Sequence, residues 1–368
     1  ERQRVITLTG GSPRLEERDF TNALINVLRD TQPKVCFLTG HNERSITDSD
    51  ENTGASMAKN LLEGESYKVE EVTISLTYPE IASDCSVLFV NNPRTDLHPQ
   101  ELKAIQAFLE RGGRLMVLLD PWRQASEEGK VHENLRPWLE EHYGIKVGSD
   151  VVVMADAKNR VDVELSKDNK PFADLDKGFM EYRGSYRADH PVTKNIEQTM
   201  LLQVCRTVSA APKLPEGVIV TELLRTRPGC WAESDVEKFA SATEAVHTEG
   251  EPEGPLSVAV AAVAPTQAVD ESTGKRLDAR LVVVGDSEFA SNGRLGAIPA
   301  HLDFMLNAIA WLTEREELIA IRPSDKTNPP LILSPDQKSG VAWVSTLFTV
   351  QMVLAAGLAV FLLRRRHQ

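Results

Sequence analysis

From Val341 to Leu363 the chain reads VAWVSTLFTVQMVLAAGLAVFLL, 23 residues without a charged side chain. At about 1.5 Å of rise per residue such a run crosses a hydrocarbon core of about 30 Å. A core helix rarely runs this long without a polar face, so a membrane-spanning helix is predicted over 341–363. Trp343 near one end suits the interfacial position that aromatic rings prefer. Arg364, Arg365 and Arg366 follow at once, whereas the other flank offers only Lys338. Positive charge stays on the cytoplasmic side, which puts the tail 364–368 in the cytoplasm and the preceding chain outside. Gln351 and Gly357 are the polar and small residues through which this helix would pack on others. An exported domain needs a signal or an earlier span. The chain opens on Glu1-Arg2-Gln3-Arg4, so an anchor upstream of it is expected.

The length of 368 residues predicts two domains, and a hydrophobic share of 41% is that of a globular protein. The net charge of −13 becomes −16 for the exported part once the three terminal arginines are set apart. That balance argues against nucleic acid, whose readers carry a basic face, and against binding to an anionic bilayer surface. The four cysteines, Cys36, Cys85, Cys205 and Cys230, lack CxxC spacing, so neither a zinc site nor a thioredoxin-type motif is expected. Cys36 lies inside a predicted strand and Cys85 begins another. Cys205 with Cys230 is the favoured disulfide pair, ahead of Cys36 with Cys85.

A strand at 4–9 and a helix at 15–29, with Leu15, Phe20, Leu24, Val27 and Leu28 on one stripe, form a leading segment, 1–33. From Lys34 the pattern alternates. Strands are predicted at 35–38, 68–74, 86–91, 114–119 and 146–153, and helices at 54–63, 99–111 and 131–142. Near-continuous apolar strands separated by helices indicate a parallel sheet covered on both faces, here a flavodoxin-like, doubly wound α/β domain over 34–155. Gly112-Gly113 ends a helix and turns the chain into the next strand. Residues 156–276 read as a mainly β insertion, with strands at 201–208, 217–225 and 256–263. Residues 232–255 within it carry seven acids and one lysine, the composition of a solvated loop. A strand at 278–284 and a helix at 301–313 form a βα unit, 277–316, that rejoins the first sheet. A linker, 317–340, leads to the membrane helix.

Ligands of open α/β sheets gather at the carboxyl ends of the strands. The candidates there are Gly40-His41-Asn42-Glu43 after the first strand, Asn91-Asn92-Pro93 after the third, Asp120-Pro121-Trp122 after the fourth and Asp286-Ser287-Glu288 after the late strand, with His41, Glu43, Asp120 and Asp286 as the polar cluster. Neither GxxxxGK[ST] nor GxGxxG occurs, which removes the usual phosphate cradles, and GxSxG is absent too. One histidine and three carboxylates on separate loops make a thin constellation for metal or acid–base chemistry. Asp120 and Asp286 are expected to cap turns and helix starts. His190-Pro191-Val192-Thr193 is expected to be a turn with a threonine cap. No catalytic residue, cofactor or metal is predicted.

The order of several short motifs carries a resemblance. These are Leu38-Thr39-Gly40-His41-Asn42-Glu43, Tyr67-Lys68-Val69, Leu88-Phe89-Val90-Asn91-Asn92-Pro93, Gly112-Gly113-Arg114-Leu115, Leu119-Asp120-Pro121, Val284-Gly285-Asp286-Ser287-Glu288-Phe289 and Leu306-Asn307-Ala308-Ile309-Ala310-Trp311-Leu312. With the arginine-terminated anchor, this order resembles the auxiliary subunit of gliding-motility-type bacterial ABC transporters, the GldG type, over roughly residues 34–366. Its exported domain is similar to one in eukaryotic intraflagellar transport proteins. The resemblance implies an inner-membrane protein with a periplasmic domain and an anchor at each end, working with a separate permease and a cytoplasmic ATPase. It brings no catalytic residues. Two other functions are open on the residues alone: a membrane-tethered hydrolase or amidotransferase-like enzyme using the strand-end cluster, and a periplasmic module binding a sugar or peptide.

Overall fold

The computed structural model describes residues 32–121, 132–154, 162–166, 184–196, 200–235, 247–270, 274–315 and 363–365. The predicted strand at 4–9, the helix at 15–29, the linker, Gln351, Gly357, Arg366 and all of the predicted membrane helix except Leu363 lie outside those residues. Leu363, Arg364 and Arg365 are helical and exposed. Among the described residues no helix is long and apolar enough to cross a membrane.

The first strand, β1 (Lys34–Leu38), is apolar on both faces and therefore central. It lies parallel to β2 (Lys68–Val72) on one side and to β3 (Cys85–Asn91) on the other. Parallel partners continue outward from β3 to β4 (Arg114–Leu118), and from β4 to a strand that arrives much later, β14 (Arg276–Val284). The parallel half thus runs β2-β1-β3-β4-β14, the order of doubly wound sheets, in which the chain reverses direction between β1 and β3. Helix α1 (Ser56–Gly64) and the last two helices, α4 (Asn292–Ala297) and α5 (Pro299–Leu312), cover one face, where the Phe37 and Phe89 rings meet at 4.5 Å, tilted by 49°. Helices α2 (Pro99–Glu110) and α3 (Leu135–Tyr143) cover the other. Pro99 and Pro299 each open a helix, where the missing N–H is no loss.

Beyond β14 the sheet turns antiparallel. The predicted strand at 256–263 is the first part of a longer one, β13 (Ser257–Val269), which pairs with β14 and with β11 (Ile219–Arg225). Outside β11 follow β8 (Gly184–Tyr186), β7 (Asp162–Ser166) and β9 (Met200–Gln203), giving ten strands in all. The region 156–276 therefore contributes strands to the same sheet as the parallel half. Two predicted strands divide. The segment 146–153 becomes β5 (Ile145–Val147) and β6 (Val151–Met154), because Gly148-Ser149-Asp150 between them is turn chemistry. The segment 201–208 becomes β9 and β10 (Val208–Ala210), interrupted at Val204, whose φ is 56°. β5 pairs with β10, and β6 with β12 (Cys230–Glu233), in two small antiparallel sheets.

The disulfide expectation is corrected. Cys36 and Cys85 are bonded, with Cα atoms 6.1 Å apart, whereas Cys205 and Cys230 are buried and not disulfide-bonded. β1 and β3 are neighbours, and both cysteines point to the α2/α3 face. Burial raises the Cys205 thiol well above its ordinary pKa, leaving it an inert apolar side chain. The turn at His190 forms as expected: Thr193 N–H and Lys194 N–H donate to its carbonyl at 3.0 and 2.9 Å.

α5 joins the layers. Eleven of its residues, from Ala300 to Leu312, are buried, as an all-round apolar helix requires. One side lies on the sheet, and the other meets Val192, Ile196, Met200 and Leu202. Two polar pins fix it there. Asn307 Nδ2 donates to Val192 O at 3.1 Å, and His301 Nε2 lies 2.9 Å from Leu201 O.

Candidate functional site

The carboxyl edge of the parallel half holds all four residues singled out above. His41 follows β1 and is 7% exposed. Its Nδ1 lies 3.0 Å from Glu43 Oε1 and its Nε2 2.9 Å from Glu101 Oε2. Glu43 Oε2 also accepts the His41 N–H at 2.8 Å. Glu101 is the third residue of α2, and its Oε2 takes the His98 N–H at 2.7 Å, the reciprocal arrangement of a capping box. One carboxylate therefore caps α2 and clamps the β1 loop to it. Burial alone would lower the imidazole pKa, but the bonds to Glu43 and Glu101 outweigh it and hold the ring above its usual value. Both nitrogens then donate, as an imidazolium does.

Asp120 sits in a second network. Its Oδ1 accepts Ser287 N–H at 2.5 Å, and its Oδ2 accepts Ser287 Oγ–H at 2.8 Å and an amide N–H of Asn92 at 2.5 Å. Arg44, one residue beyond Glu43, donates from Nε to Ser287 Oγ at 2.9 Å and from Nη1 to Asn52 O, with Nη2 3.9 Å from Asp120 Oδ2. Loops after β1, β3, β4 and β14 are thus joined by one arginine and one aspartate. Asp286 is wholly buried and caps the turn that follows it, accepting Glu288 and Phe289 N–H groups at 2.5 and 3.2 Å.

The structure joins His41 with Glu43, and Asp120 with Arg44 and Ser287, in separate networks. The Ser287 hydroxyl donates to Asp120 and accepts from Arg44, and Ser287 is wholly buried, so this hydroxyl is engaged within the network rather than offered to a substrate. The reversal point between β1 and β3, where such sheets take ligands, is bridged by the chain itself. Arg44 N–H donates to Asn91 O at 3.1 Å, and Arg94 N–H to His41 O at 2.7 Å. The first turn of α1, which would receive a phosphate, is occupied in the same way. Met57 N–H donates to Asn292 Oδ1 at 2.7 Å and Ser56 N–H to Asp48 O at 3.3 Å. Among the described residues no group of three His, Cys, Asp or Glu side chains is arranged to hold a metal ion.

Sequence reasoning missed Glu101, Arg44 and Asn292, and named Ser287 only as part of the segment Asp286-Ser287-Glu288. Only Glu101 had a local signal: it stands three residues after the helix-starting His98, followed by proline. Arg44 and Asn292 make their bonds to Ser287 and Met57 across 235 residues or more, and no local pattern marks such pairs.

Structural likenesses are distant. The mmIFT52 N-terminal domain is 16% identical, with 76% of this chain and 97% of that one covered and a TM-score of 0.45. A ThuA-like protein from Bacteroides uniformis is 15% identical, with 77% and 93% covered and a TM-score of 0.41. A β-galactosidase from Bacillus circulans sp. alkalophilus is 13% identical, with 86% and 35% covered and a TM-score of 0.36. At these scores none informs function. No curated protein matches the sequence. The model of the auxiliary family of ABC-type uncharacterized transport systems, by contrast, matches residues 32–308. Most of the chain lies within that match, and the protein belongs to this family.

Proposed function

We propose that the chain is a non-catalytic, membrane-anchored accessory subunit of a bacterial ABC transporter, with its bulk in the periplasm and its C-terminus in the cytoplasm. The anchor is 341–363, oriented by Arg364, Arg365 and Arg366, and Gln351 and Gly357 are its packing positions against permease helices. Energy comes from a cytoplasmic ATPase, since this chain carries no phosphate-binding motif. The exported part is an α/β domain of 34–155 and 277–316 carrying the insertion 156–276. The observation that carries the non-catalytic reading is the state of the strand-end residues. His41, Glu43, Asp120 and Asp286 are each engaged in holding loops and turns, so they act through the shape of an edge offered to a partner or substrate. The bond between Cys36 and Cys85 is in keeping with an oxidising compartment.

Co-purification from native membranes tests the reading. A permease and an ATPase are expected with the chain, and recovery of the chain alone would overturn it. Alanine substitution of His41, Glu43, Asp120 and Asp286 tests the non-catalytic part. Lost function in a folded, fully assembled complex would favour an enzyme.

A further inference from the structure

The carboxyl edge holds one more buried charge, and the networks above do not use it. Arg206, between β9 and β10, lies directly over the end of β14. Its N–H donates to Gly285 O at 2.8 Å, and a Cβ on Gly285 would meet Arg206 O at 2.1 Å, so that position requires glycine. The Arg206 side chain is enclosed, the residue being 5% exposed. Nη1 points to His132 Nδ1 at 3.4 Å, and Nε is buried with no partner. His132 Nε2 donates to Pro93 O at 2.8 Å, which makes Nδ1 an acceptor. Burial first, and Arg206 second, push the His132 pKa down to about 3, so the ring is neutral and offers no counter-charge.

Three charged groups act on the guanidinium through space: Arg136, Asp150 and Asp120. Both carboxylates have their oxygens engaged elsewhere. Asp150 accepts Thr207 N–H at 2.8 Å and Thr207 Oγ1–H at 2.6 Å, and Asp120 serves Ser287 and Asn92. Arg136 adds positive charge, its own Nε bound to Val147 O at 3.0 Å. Among the described residues Arg206 forms no ion pair. A guanidinium buried without an anion is strongly unfavourable unless something supplies the missing oxygens. With Nη1 turned to His132, the edge left over is Nε with Nη2, two parallel N–H groups whose spacing matches the two oxygens of a carboxylate or phosphate. Arg206 itself stands over the carboxyl end of β14, the side of the sheet where α/β folds receive ligands.

We propose that Arg206 is the receptor for an oxyanion, the carboxylate or phosphate group of a ligand, held bidentately on its Nε/Nη2 edge with Arg136 supplying the second positive charge. The inference is independent of assembly with a transporter. The purified chain is titrated with sodium phosphate and, separately, sodium acetate, against sodium chloride at equal ionic strength. Binding is read by calorimetry, and the Arg206 Nε–H resonance, assigned by its absence from Arg206→Lys, is followed by NMR. Saturable binding of phosphate or acetate is expected, weakened about tenfold to a hundredfold in Arg206→Gln. Binding of phosphate alone identifies a phosphate ligand, and binding of both admits a carboxylate. A response equal to that of chloride, or equal affinity in Arg206→Gln, overturns the proposal. Should Arg206→Gln fail to fold, the wild-type resonance decides. Displacement by either anion supports the site, and an unmoved resonance overturns it.

Discussion

Two places on the same sheet edge treat a buried arginine in opposite ways. At the β1/β3 reversal Arg44 has Ser287, Asn52 and, at 3.9 Å, Asp120, and its loop is closed by backbone bonds. Over β14, Arg206 has one long bond to a neutral imidazole and an empty Nε. The contrast separates charge used for architecture from charge left available. The reversal point, where chemistry is usually sought in such folds, is here the structural end of the edge.

The largest effect expected is from Arg44→Ala. It strips Ser287 and Asn52 of a donor and leaves Asp120 without its cation, for a loss of about 3 kcal/mol in urea unfolding. A loss below about 1 kcal/mol would break the comparison from the structural side. The histidines give a second test, through the sign of their pH dependence. His41 has a folded pKa above its unfolded value of 6.5, so its contribution is fully present below pH 6.5 and is lost as pH rises through the folded pKa. His132, pushed down to about 3, and His301, pushed down by burial to about 4, run the other way. The unfolded chain binds protons that these buried rings refuse, so stability falls as pH drops from 6.5 towards those values. Stability measured against pH should peak near neutrality, and His41→Gln should remove the decline just above pH 6.5 while leaving the acid limb.

A smaller effect is expected from Asp286→Ala, which removes the cap on Glu288 and Phe289 N–H groups at a cost of about 1 kcal/mol. Smallest of all is Arg206→Met. Replacing an unpaired buried charge by an apolar side chain of similar length should change stability by less than about 1 kcal/mol, or raise it. A loss as large as that of Arg44→Ala would show that Arg206 is structural too, and the comparison would fail.

What was legible in the sequence was local. The apolar strands at 35–38, 86–91, 114–119 and 278–284 could be read because their runs are largely buried on both faces, and α2 because Gly112-Gly113 marks its end. The bonding of Cys36 to Cys85 was not legible, since it depends on β1 and β3 being neighbours. Nor was the antiparallel extension of the sheet, because β7 and β8 have five and three residues and their pairing is non-local. At the site, the positions of His41, Glu43, Asp120 and Asp286 at strand ends could be anticipated. What each does could not, for the partners Glu101, Arg44 and Ser287 come from elsewhere in the chain.

The place of β14 bears on synthesis. The strand between β4 and β13 is delivered only at residues 276–284, and α5, which closes one face, ends at residue 312. A growing chain has its first four parallel strands early but no fifth, and one open edge of β4 waits while the intervening chain is made. Such late, non-local closure is slow and leaves an unpaired edge exposed. A chain released before residue 276 would present that edge, and one released before residue 312 a bare apolar sheet face, the forms a quality-control protease meets.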